Sequence, residues 1–396
     1  MEAFLADFIW QRPDWPRFRW NADRLLPAVA DARFLHGRLI GTMAAAGLET
    51  RQQAELSAAT EDALATSAIE GEMLPPASVR SSIARRLGLP DGGLAAEDSR
   101  AAGVADMVLD ATRHCQEKLT EDRLFGWHRS LFAAAHPSLE APLDIGCWRT
   151  DSHGPMQVVS GTYRGGKPPR VHVEAPPAGR VPAEMARFLA WFAADAADQD
   201  GLVRAGLAHL WFVTMHPFDD GNGRIGRAIA DMAIARAEPT GGRRFYSLSS
   251  AILRQRRAYY DALELAQRGD LDITDWLIWF LQCHQSAVGA AEAAAQRVID
   301  TARFWPAVEP VNARQRKALG RMLDGWEGLM TTRKWAAING VSADTAQRDI
   351  ADLVARGILV SNEKGGRSTG YLLAGALFLS SERQQARLAA RTRSGR

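Results

Sequence analysis

The sequence predicts a mainly α protein that carries one β-hairpin and, near its C-terminus, a second pair of short strands. Apolar residues recur at helical spacing in long stretches, for example in residues 224–237 (RIGRAIADMAIARA). Two β-rich runs, 158–161 and 170–173, flank a turn rich in glycine, lysine and proline at 162–169, which is typical of a hairpin. The 396 residues allow two or three domains, and a hydrophobic content of 46% is enough for their cores.

Composition and charge exclude several classes of protein. The net charge of +2 implies no strong overall attraction to nucleic acid. The three cysteines have no CxxC spacing and do not cluster with histidines, which argues against a zinc site or a disulfide framework. The sequence has neither a signal-peptide pattern nor an apolar run of membrane-spanning length. We therefore expect a cytoplasmic protein with no membrane partner, and a tail over 375–396 that is disordered after Ser380.

Residues 216–227, HPFDDGNGRIGR, are the most informative part of the chain. The apolar run 205–215 predicts a buried helix that ends at His216, because Pro217 disfavours a helical residue before it. A second helix is expected to begin near Gly223. Gly221 and Gly223 can adopt positive φ, so that backbone N–H groups converge on one point. Together with the positive end of the second helix, they predict an anion site.

The side chains of this segment indicate what the anion site does. His216 is the group here that can accept a proton near neutral pH. Arg224 and Arg227 lie three residues apart, hence on one helical face, and can both clamp a polyphosphate. Asp220 is placed to hold a Mg²⁺ ion that bridges phosphate oxygens. A base, an anion cradle and a metal ligand together predict phosphoryl or nucleotidyl transfer.

The same segment resembles the Fic motif, HxFx[D/E]GNGRxxR, at every defined position. Fic proteins mostly transfer AMP from ATP to a hydroxyl of a target protein. The resemblance thus implies the Fic helical fold, ATP and Mg²⁺, and a partner protein with a Tyr, Thr or Ser hydroxyl that His216 deprotonates. The nucleotide would be held by residues of the loop and the following helix: Phe218, Asp219, Gly221, Asn222, Gly223, Arg224 and Arg227.

Three of these positions carry further expectations. Asn222 and the surrounding amides would hold the α-phosphate oxygens. The Phe218 side chain should point into the core and anchor the loop. The kinase-like Doc branch of the superfamily has lysine at the position of Gly223, so the chain resembles the nucleotidyl-transferring branch.

Residues 66–71, TSAIEG, resemble the inhibitory motif [S/T]xxxE[G/N] of autoinhibited Fic proteins. The residues themselves predict a helix over 54–70 that stops at Gly71, which puts Glu70 at a helix C-terminus where the dipole disfavours a carboxylate. Such a position favours an external cation, and Arg227 is the natural candidate. Glu70 would then lie in the nucleotide site and occupy the arginine for the γ-phosphate, so that ATP binds in a non-productive pose. The alternative is a solvent-exposed glutamate at a helix end.

Other segments agree with the resemblance. Residues 124–132 look like the early Fic helix, with His128 as a packed core histidine, and Gly146-Cys147-Trp148-Arg149 resembles the family's G-x-[WY]-R turn. The hairpin over about 158–173 resembles the flap that pairs with a target segment by strand addition, with a structural or docking role for His172. Residues 251–267 are expected to form one helix that lines the nucleotide pocket, with Leu253 and Tyr260 near the adenine.

The N-terminal stretch WQRPDWPRFRW, with Trp10, Trp15 and Trp20 five residues apart, cannot be a regular helix because of its prolines. With the helix that follows, over 22–46, it resembles the N-terminal domain often fused to bacterial Fic proteins. We expect its tryptophans to pin an extended arm to the body. The resulting division is an N-terminal domain over 1–95 with the inhibitory helix at about 54–71, a Fic domain over 96–290, a linker over 291–310, and a separate unit over 311–374.

That last unit resembles a winged helix-turn-helix, similar to many bacterial repressors. It is expected to have helices over 312–323, 332–338 and 343–356, with apolar Ala346, Ile350, Leu353 and Val354 on one face of the third, and strands over 358–360 and 371–373. Residues 331–373 carry six basic residues (Arg333, Lys334, Arg348, Arg356, Lys364, Arg367) against four acidic ones (Asp344, Asp349, Asp352, Glu363), a weak footprint for DNA. DNA binding through 311–374 and protein docking both stay open.

Three functions remain. The first is a protein adenylyltransferase held in check by Glu70, with self-modification as one outcome. The second is a hydrolase that removes AMP from proteins, in which Glu70 positions the attacking water. The third is a DNA-binding regulator that senses a nucleotide, and the intact His216 argues against it because a sensor needs no base. Homodimers are common among relatives of this kind.

Overall fold

The computed structural model of the chain describes residues 7–90, 98–133, 143–152, 154–160, 170–194, 199–238, 240–323, 326, 328–362 and 369–374. It divides into two units, Met1–Glu292 and Ala293–Arg396. The described residues are mainly α, as predicted. Those of the first unit form helices α1 (Ala22–Ala45), α2 (Leu48–Ile69), α3 (Pro76–Arg86), α4 (Ser99–Arg113), α5 (Glu121–Leu131), α6 (Val181–Ala193), α7 (Gly201–Met215), α8 (Asn222–Ala237), α9 (Leu248–Arg254) and α10 (Arg256–Gln267), and strands β1 (Gln157–Ser160) and β2 (Arg170–Glu174).

Helices α7 and α8 form the centre of the first unit. Both are buried on nearly all sides, since apolar and small residues surround each axis. Two glycines allow the close packing: a Cβ at Gly206 would lie 3.0 Å from Leu277, and one at Gly226 would lie 2.7 Å from Val213. Helices α2, α4 and α5 pack around α8. The turn between α7 and α8, which holds residues 216–221, is thereby set on a rigid base.

A single glycine fixes the approach of α4 to α5. A Cβ at Gly103 would lie 1.8 Å from the main-chain oxygen of Ser130, so no side chain fits without moving the backbone. We expect Gly103→Ala to cost about 3 kcal/mol and to lower the melting temperature by several degrees. Gly126→Ala on α5 is the matched control, because a Cβ added there would have nothing within 4 Å. That change should be neutral or slightly stabilising through helix propensity. Equal melting temperatures for the two variants would contradict this account of the packing.

The N-terminal arm is pinned to the body by its tryptophans, as predicted. The Trp10 indole donates to the Glu174 carbonyl (2.7 Å) and the Trp15 indole to the Glu184 carboxylate (3.1 Å), and both rings are buried. Trp20 is only partly buried. The arm therefore ties the N-terminal residues to β2 and α6 of the same unit.

The predicted hairpin is present as the antiparallel pair β1–β2, in which Gln157 faces Glu174 and Val158 faces Val173. The turn expected over 162–169, together with Gly161, lies outside the described residues. Glu264 of α10 anchors β2, since its carboxylate binds Arg170 (2.7 Å) and His172 (2.6 Å). His172 thus makes a structural contact, which is one of the two roles expected of it. Val159 of β1 stays 48% exposed.

Residues 251–267 form two helices where one was expected. The chain turns at Gln255, which ends α9 and precedes α10. The Ser247 hydroxyl caps α9 by accepting from the Ser250 N–H (2.9 Å), so α9 starts earlier than expected, at Leu248. Apolar periodicity was right about helical structure here but does not reveal such a break.

The helix that carries the boundary between the units, α11 (Thr274–Val308), replaces most of the linker expected over 291–310. Phe304 and Val308 near its end belong to the core of the second unit. Residues that supply this core belong to the second unit, so a division inside the expected linker must precede them. Glu292 is the better end point for the first unit.

The second unit contains helices α12 (Ala313–Leu323), α13 (Thr332–Asn339) and α14 (Ala343–Ala355), and the antiparallel strands β3 (Leu359–Ser361) and β4 (Tyr371–Leu373). All five elements were predicted. Ala346, Ile350 and Leu353 are fully buried on α14, but Val354 is 37% exposed and does not share their face, contrary to expectation. Part of the loop between β3 and β4, with Lys364 and Arg367, lies outside the described residues, as does the tail 375–396.

Candidate active site

The loop between α7 and α8 begins at His216, which ends α7 in the left-handed conformation (φ 47°). This conformation is rare for residues other than glycine and is found mostly where the surrounding structure enforces it. The His216 Nδ1 lies 3.0 Å from the Val213 carbonyl oxygen. A carbonyl can only accept, so Nδ1 carries the proton and Nε2 has the lone pair available to act as a base.

The backbone of His216 is held by Arg149, a residue that the sequence analysis placed in a turn without giving it a task. Arg149 is 3% exposed, and its Nε donates to the His216 carbonyl (2.6 Å). Its Nη2 donates to the Pro176 carbonyl, and its own N–H donates to the Pro217 carbonyl (2.9 Å). Arg149 therefore fixes the strained residue that carries the candidate base.

The loop is braced from within by Asn222 and Phe218. The Asn222 amide accepts from the Phe218 N–H (2.9 Å) and donates to the Phe218 carbonyl (2.7 Å). The Phe218 ring is fully buried and stacks on His128, with centroids 4.3 Å apart. Phe218 thus points into the core, as predicted. The Asn222 side chain is thus bonded within the loop through both its oxygen and its nitrogen.

His128 is a core histidine, as expected, and it also supports the loop. One ring nitrogen lies 3.2 Å from the Asp220 carbonyl oxygen, to which it donates, and the other accepts from the Gly146 N–H (2.9 Å). Burial lowers the pKa of His128 to about 4, so the ring stays neutral near pH 7. Asp219 is engaged as well, since its carboxylate accepts from the Asp144 N–H (2.9 Å).

Asp220 is the loop carboxylate that faces solvent, with half of its side chain exposed. One oxygen accepts from the Gly221 N–H (2.5 Å) and the other lies 3.7 Å from Arg224. Within the described ranges, no three His, Cys, Asp or Glu side chains are arranged to hold a metal ion by themselves. A single exposed carboxylate beside an anion site nevertheless suits Mg²⁺, which commonly binds one or two carboxylates and completes its shell with water and substrate phosphates.

Helix α2 ends against this loop in a tight turn. Gly71 takes positive φ (86°), its N–H donates to the Ala68 carbonyl (3.0 Å), and the Glu72 N–H donates to the Ser67 carbonyl (3.0 Å). These two bonds are those of a Schellman motif, which needs glycine at the left-handed position. The predicted stop at Gly71 is confirmed. The turn holds Glu70 and Glu72 on either side of the glycine.

Glu70 meets Arg227, the partner expected for it. The Glu70 Oε1 lies 2.8 Å from Arg227 Nη2, while Arg227 also donates to the Thr66 hydroxyl and carbonyl (2.8 Å each). Burial opposes both charges, but the pairing prevails: it lowers the pKa of Glu70 and raises that of Arg227. Arg227 is 1% exposed, and the end of α2 occupies both its Nε and its Nη2.

A second carboxylate of the same turn was missed by the sequence analysis. The Glu72 Oε2 lies 2.9 Å from Arg224 Nη1, so the other arginine of the loop helix is also paired with the end of α2. Sequence offered one signal, namely that Glu72 stands two residues after Glu70 with a helix-ending glycine between them. Both predicted phosphate clamps are thus in contact with protein carboxylates.

Gly223 has a definite spatial role. A Cβ at this position would lie 2.1 Å from Glu70 Oε1. The carboxylate of Glu70 therefore lies against the first turn of α8, where the helix dipole favours a negative charge. Any side chain at 223 would displace Glu70 from this position.

Tyr260 lies next to Glu70, whereas the position of Leu253 is known only from the packing of its helix against α2. The Tyr260 hydroxyl lies 3.4 Å from the Ile69 carbonyl oxygen, next to Glu70, and its ring is 37% exposed. Leu253 is partly buried on α9, a helix that packs against α2. The neighbouring Tyr259 is buried, and its hydroxyl lies 2.8 Å from His209 of α7.

These features place His216 at the end of one helix, next to a glycine loop and the positive end of a second helix, which is an arrangement suited to phosphate chemistry. Residues 118–234 match the Fic/DOC family, and this part of the chain is a Fic/DOC-family domain. Residues 8–89 match a family described as a domain of unknown function, DUF4172. No helix among the described residues is both long enough and apolar enough to cross a membrane.

One curated relative is a protein named "Protein adenylyltransferase Fic" from Culex quinquefasciatus, with 34% identity over 97 residues. The match spans 24% of this chain and only 18% of that protein. A Fic family protein from Desulfovibrio desulfuricans G20 has a similar fold, with a TM-score of 0.51, 20% identity, and coverage of 90% of this chain and 98% of that one. A Fic domain containing signaling protein from Bacteroides thetaiotaomicron VPI-5482 matches 67% of this chain and 98% of that one, with a TM-score of 0.49 and 17% identity.

Proposed function

We propose that the chain is a protein adenylyltransferase that moves AMP from ATP to a Tyr, Thr or Ser hydroxyl of a target protein, and that Glu70 holds it in check. The observation that carries the proposal is the ion pair between Glu70 and Arg227 beside a histidine whose Nε2 is left with its lone pair. The relative that is named an adenylyltransferase supports the choice of ATP and of a protein target.

His216 supplies the base in this mechanism. Its Nε2 takes the proton of the target hydroxyl, and the oxygen attacks the α-phosphorus in line. The new P–O bond forms as the bond to the β-phosphate oxygen breaks, so pyrophosphate leaves and AMP stays on the target. Arg149 keeps His216 in place by donating a hydrogen bond to the His216 carbonyl.

The loop and α8 hold the phosphates. Main-chain N–H groups of the loop, at the positive end of α8, would meet the α-phosphate oxygens, and the two arginines would meet the outer phosphates. Asp220 would hold Mg²⁺, which neutralises phosphate charge when bound. Among the described residues β1 pairs with β2 alone, so the other edge of β1, in the hairpin about 158–173, suits a target segment that adds as a strand.

Incubation of the Glu70→Gly variant with ATP labelled on its α-phosphate, in the presence of Mg²⁺, tests the proposed reaction. Self-modification reports activity without a known target, and we expect label to stay on the chain after denaturation. Label from γ-labelled ATP should not be retained, because that phosphate leaves with pyrophosphate. Retention of the γ-label would point to a kinase, and release of AMP from a labelled chain would point to the hydrolase.

The pH profile of self-modification should report His216. Burial lowers the pKa of His216 below 6.5. The base must be unprotonated to act, so the midpoint of the decline in activity at low pH should lie below pH 6.5. Initial rates of labelling by the Glu70→Gly variant between about pH 5 and pH 8 provide the measurement. A decline centred above pH 6.5 would contradict the role given to His216.

The second unit should be dispensable for chemistry but not for the choice of partner. All residues assigned to the reaction lie between Glu70 and Tyr260, so a chain that ends at Glu292 should fold and self-modify once Glu70 is replaced.

On α14, Asp349 is buried against Arg314 (2.8 Å), which removes one of the acids that weakened the footprint for DNA. If 311–374 binds DNA, affinity should fall steeply with salt and be absent from the shortened chain. Salt-insensitive or absent binding would favour protein docking, and loss of labelling on truncation would contradict dispensability.

A further inference from the structure

The turn at the end of α2 carries two carboxylates, and each of them pairs with one arginine in the first turns of α8. Gly71 reverses the chain, so that Glu70 and Glu72 both reach α8, where Arg224 and Arg227 lie one helical turn apart. The two contacts are nearly equal in length, 2.8 Å for Glu70 with Arg227 and 2.9 Å for Glu72 with Arg224. A single rigid turn therefore neutralises both arginines.

The Glu72–Arg224 contact is well shielded. Side-chain exposure is 6% for Arg224 and 15% for Glu72, so water screens this pair less than it would a surface pair. The Arg224 guanidinium also lies over the Phe132 ring, 5.1 Å from its centroid. The carboxylate of Asp220 also lies near Arg224 but is farther away (3.7 Å) and half exposed. A cation buried to this degree needs a close counter-charge, and Glu72 provides it.

We propose that Glu72 is a second autoinhibitory carboxylate, which occupies Arg224 as Glu70 occupies Arg227. The inference rests on the proposed function, in which both arginines bind outer phosphates of the nucleotide. Displacement of Glu70 alone frees one clamp and leaves the other neutralised. Full affinity for the polyphosphate requires both carboxylates to leave.

Arg100 on α4 is a second cation with which Glu72 can pair when it leaves Arg224. Its Nη1 lies 3.7 Å from Glu72 Oε1, and its side chain is 36% exposed. When phosphate takes Arg224, the carboxylate of Glu72 can stay with Arg100 by rotation of its side chain. The same contact defines the competing structural role, in which Glu72 serves only to brace α2 against α4.

Substitution Glu72→Gln removes the charge and keeps the size of the side chain. We expect it to raise the affinity for ATP, measured by calorimetry, about tenfold, since hydrogen bonds between charged groups typically contribute that much. Glu70→Gln should give a gain of its own, and the double variant should bind more tightly than either. Glu49→Gln, at an exposed position in the first turn of α2, should bind ATP like the unchanged chain. Wild-type affinity for ATP in Glu72→Gln would overturn the proposal.

Inorganic tripolyphosphate separates this proposal from the proposed reaction, because its binding needs the arginines but neither a base nor a target. A gain in tripolyphosphate affinity for Glu72→Gln would support the inhibitory role of Glu72 even if no variant incorporated label. Wild-type tripolyphosphate affinity would overturn the inference even if Glu70→Gly were active.

Arg100→Ala distinguishes inhibition from bracing. The proposal expects this variant to bind tripolyphosphate no more tightly than the unchanged chain, since Glu72 keeps Arg224 and loses only its outer partner. A bracing role predicts that Arg100→Ala and Glu72→Gln raise affinity alike by loosening α2, and that result would overturn the proposal. Thermal melting of each variant shows whether the substitution merely unfolds the chain. Glu72→Ala removes the same charge in a second way.

Discussion

His216→Ala is expected to abolish AMP transfer and to leave ATP binding largely intact. The Nε2 of His216 acts on the proton of the target hydroxyl, whereas the loop amides and the arginines of α8 hold phosphate. Loss of a general base typically lowers the rate by about a hundredfold to ten-thousandfold. Self-labelling in the Glu70→Gly background gives the rate, and calorimetric titration of ATP gives the affinity.

The matched control for this variant is His114→Ala. His114 follows α4, is largely exposed, and pairs with Asp110 (2.9 Å) away from the loop, so its removal should leave labelling unchanged. Equal loss of ATP binding and of labelling in His216→Ala would mean that the residue shapes the loop rather than moving a proton. Undiminished labelling would remove His216 from the mechanism.

Glu70→Gly should raise self-modification about tenfold to a hundredfold. The change breaks a hydrogen-bonded ion pair, and contacts of that kind commonly contribute about 1.5–3 kcal/mol. Freed from Glu70, Arg227 becomes available to the γ-phosphate. Glu49→Gly in the first turn of the same helix is the control for a glycine that simply loosens α2. If both variants gain equally, helix fraying and not the ion pair would explain the activation.

The Glu70→Gly, Arg227→Ala double variant separates two roles of the arginine. As a phosphate clamp, Arg227 is needed even when its inhibitor is gone, so the double variant should be as inactive as Arg227→Ala alone. If Arg227 were only the partner of Glu70, removal of both would restore labelling. Recovered activity would therefore exclude the clamp.

The sequence alone was sufficient for most of the helices and for the core of the site. Apolar periodicity predicted α7 and α8, and Gly71 predicted the end of α2, because these depend on local spacing and on backbone conformations that only certain residues adopt. The order of residues in 216–227 pointed to His216, Arg224 and Arg227 as candidate site residues, and the structure shows both arginines in contact with the end of α2. Phe218 and His128 were correctly assigned to the core.

Local patterns failed where neighbours distant in sequence decide the outcome. The break at Gln255 and the helical course of residues 291–308 follow from packing, which periodicity does not report. Val354 fits an apolar helical stripe, yet packing leaves it 37% exposed, because the width of the buried face depends on what covers it.

The electrostatic arrangement of the site was decided by tertiary structure. The partner of Glu70 could be named in advance because a family motif joins two distant segments, whereas Glu72 and Arg224, 152 residues apart, have no such link in the sequence. The role of Arg149 could not be predicted from the sequence either, since its partner is a main-chain carbonyl 67 residues away. Residue types and short spacings determine which groups are available for chemistry. The packing of α2 and α8 determines which charges meet, because an ion pair depends on distance in space and not on separation along the chain.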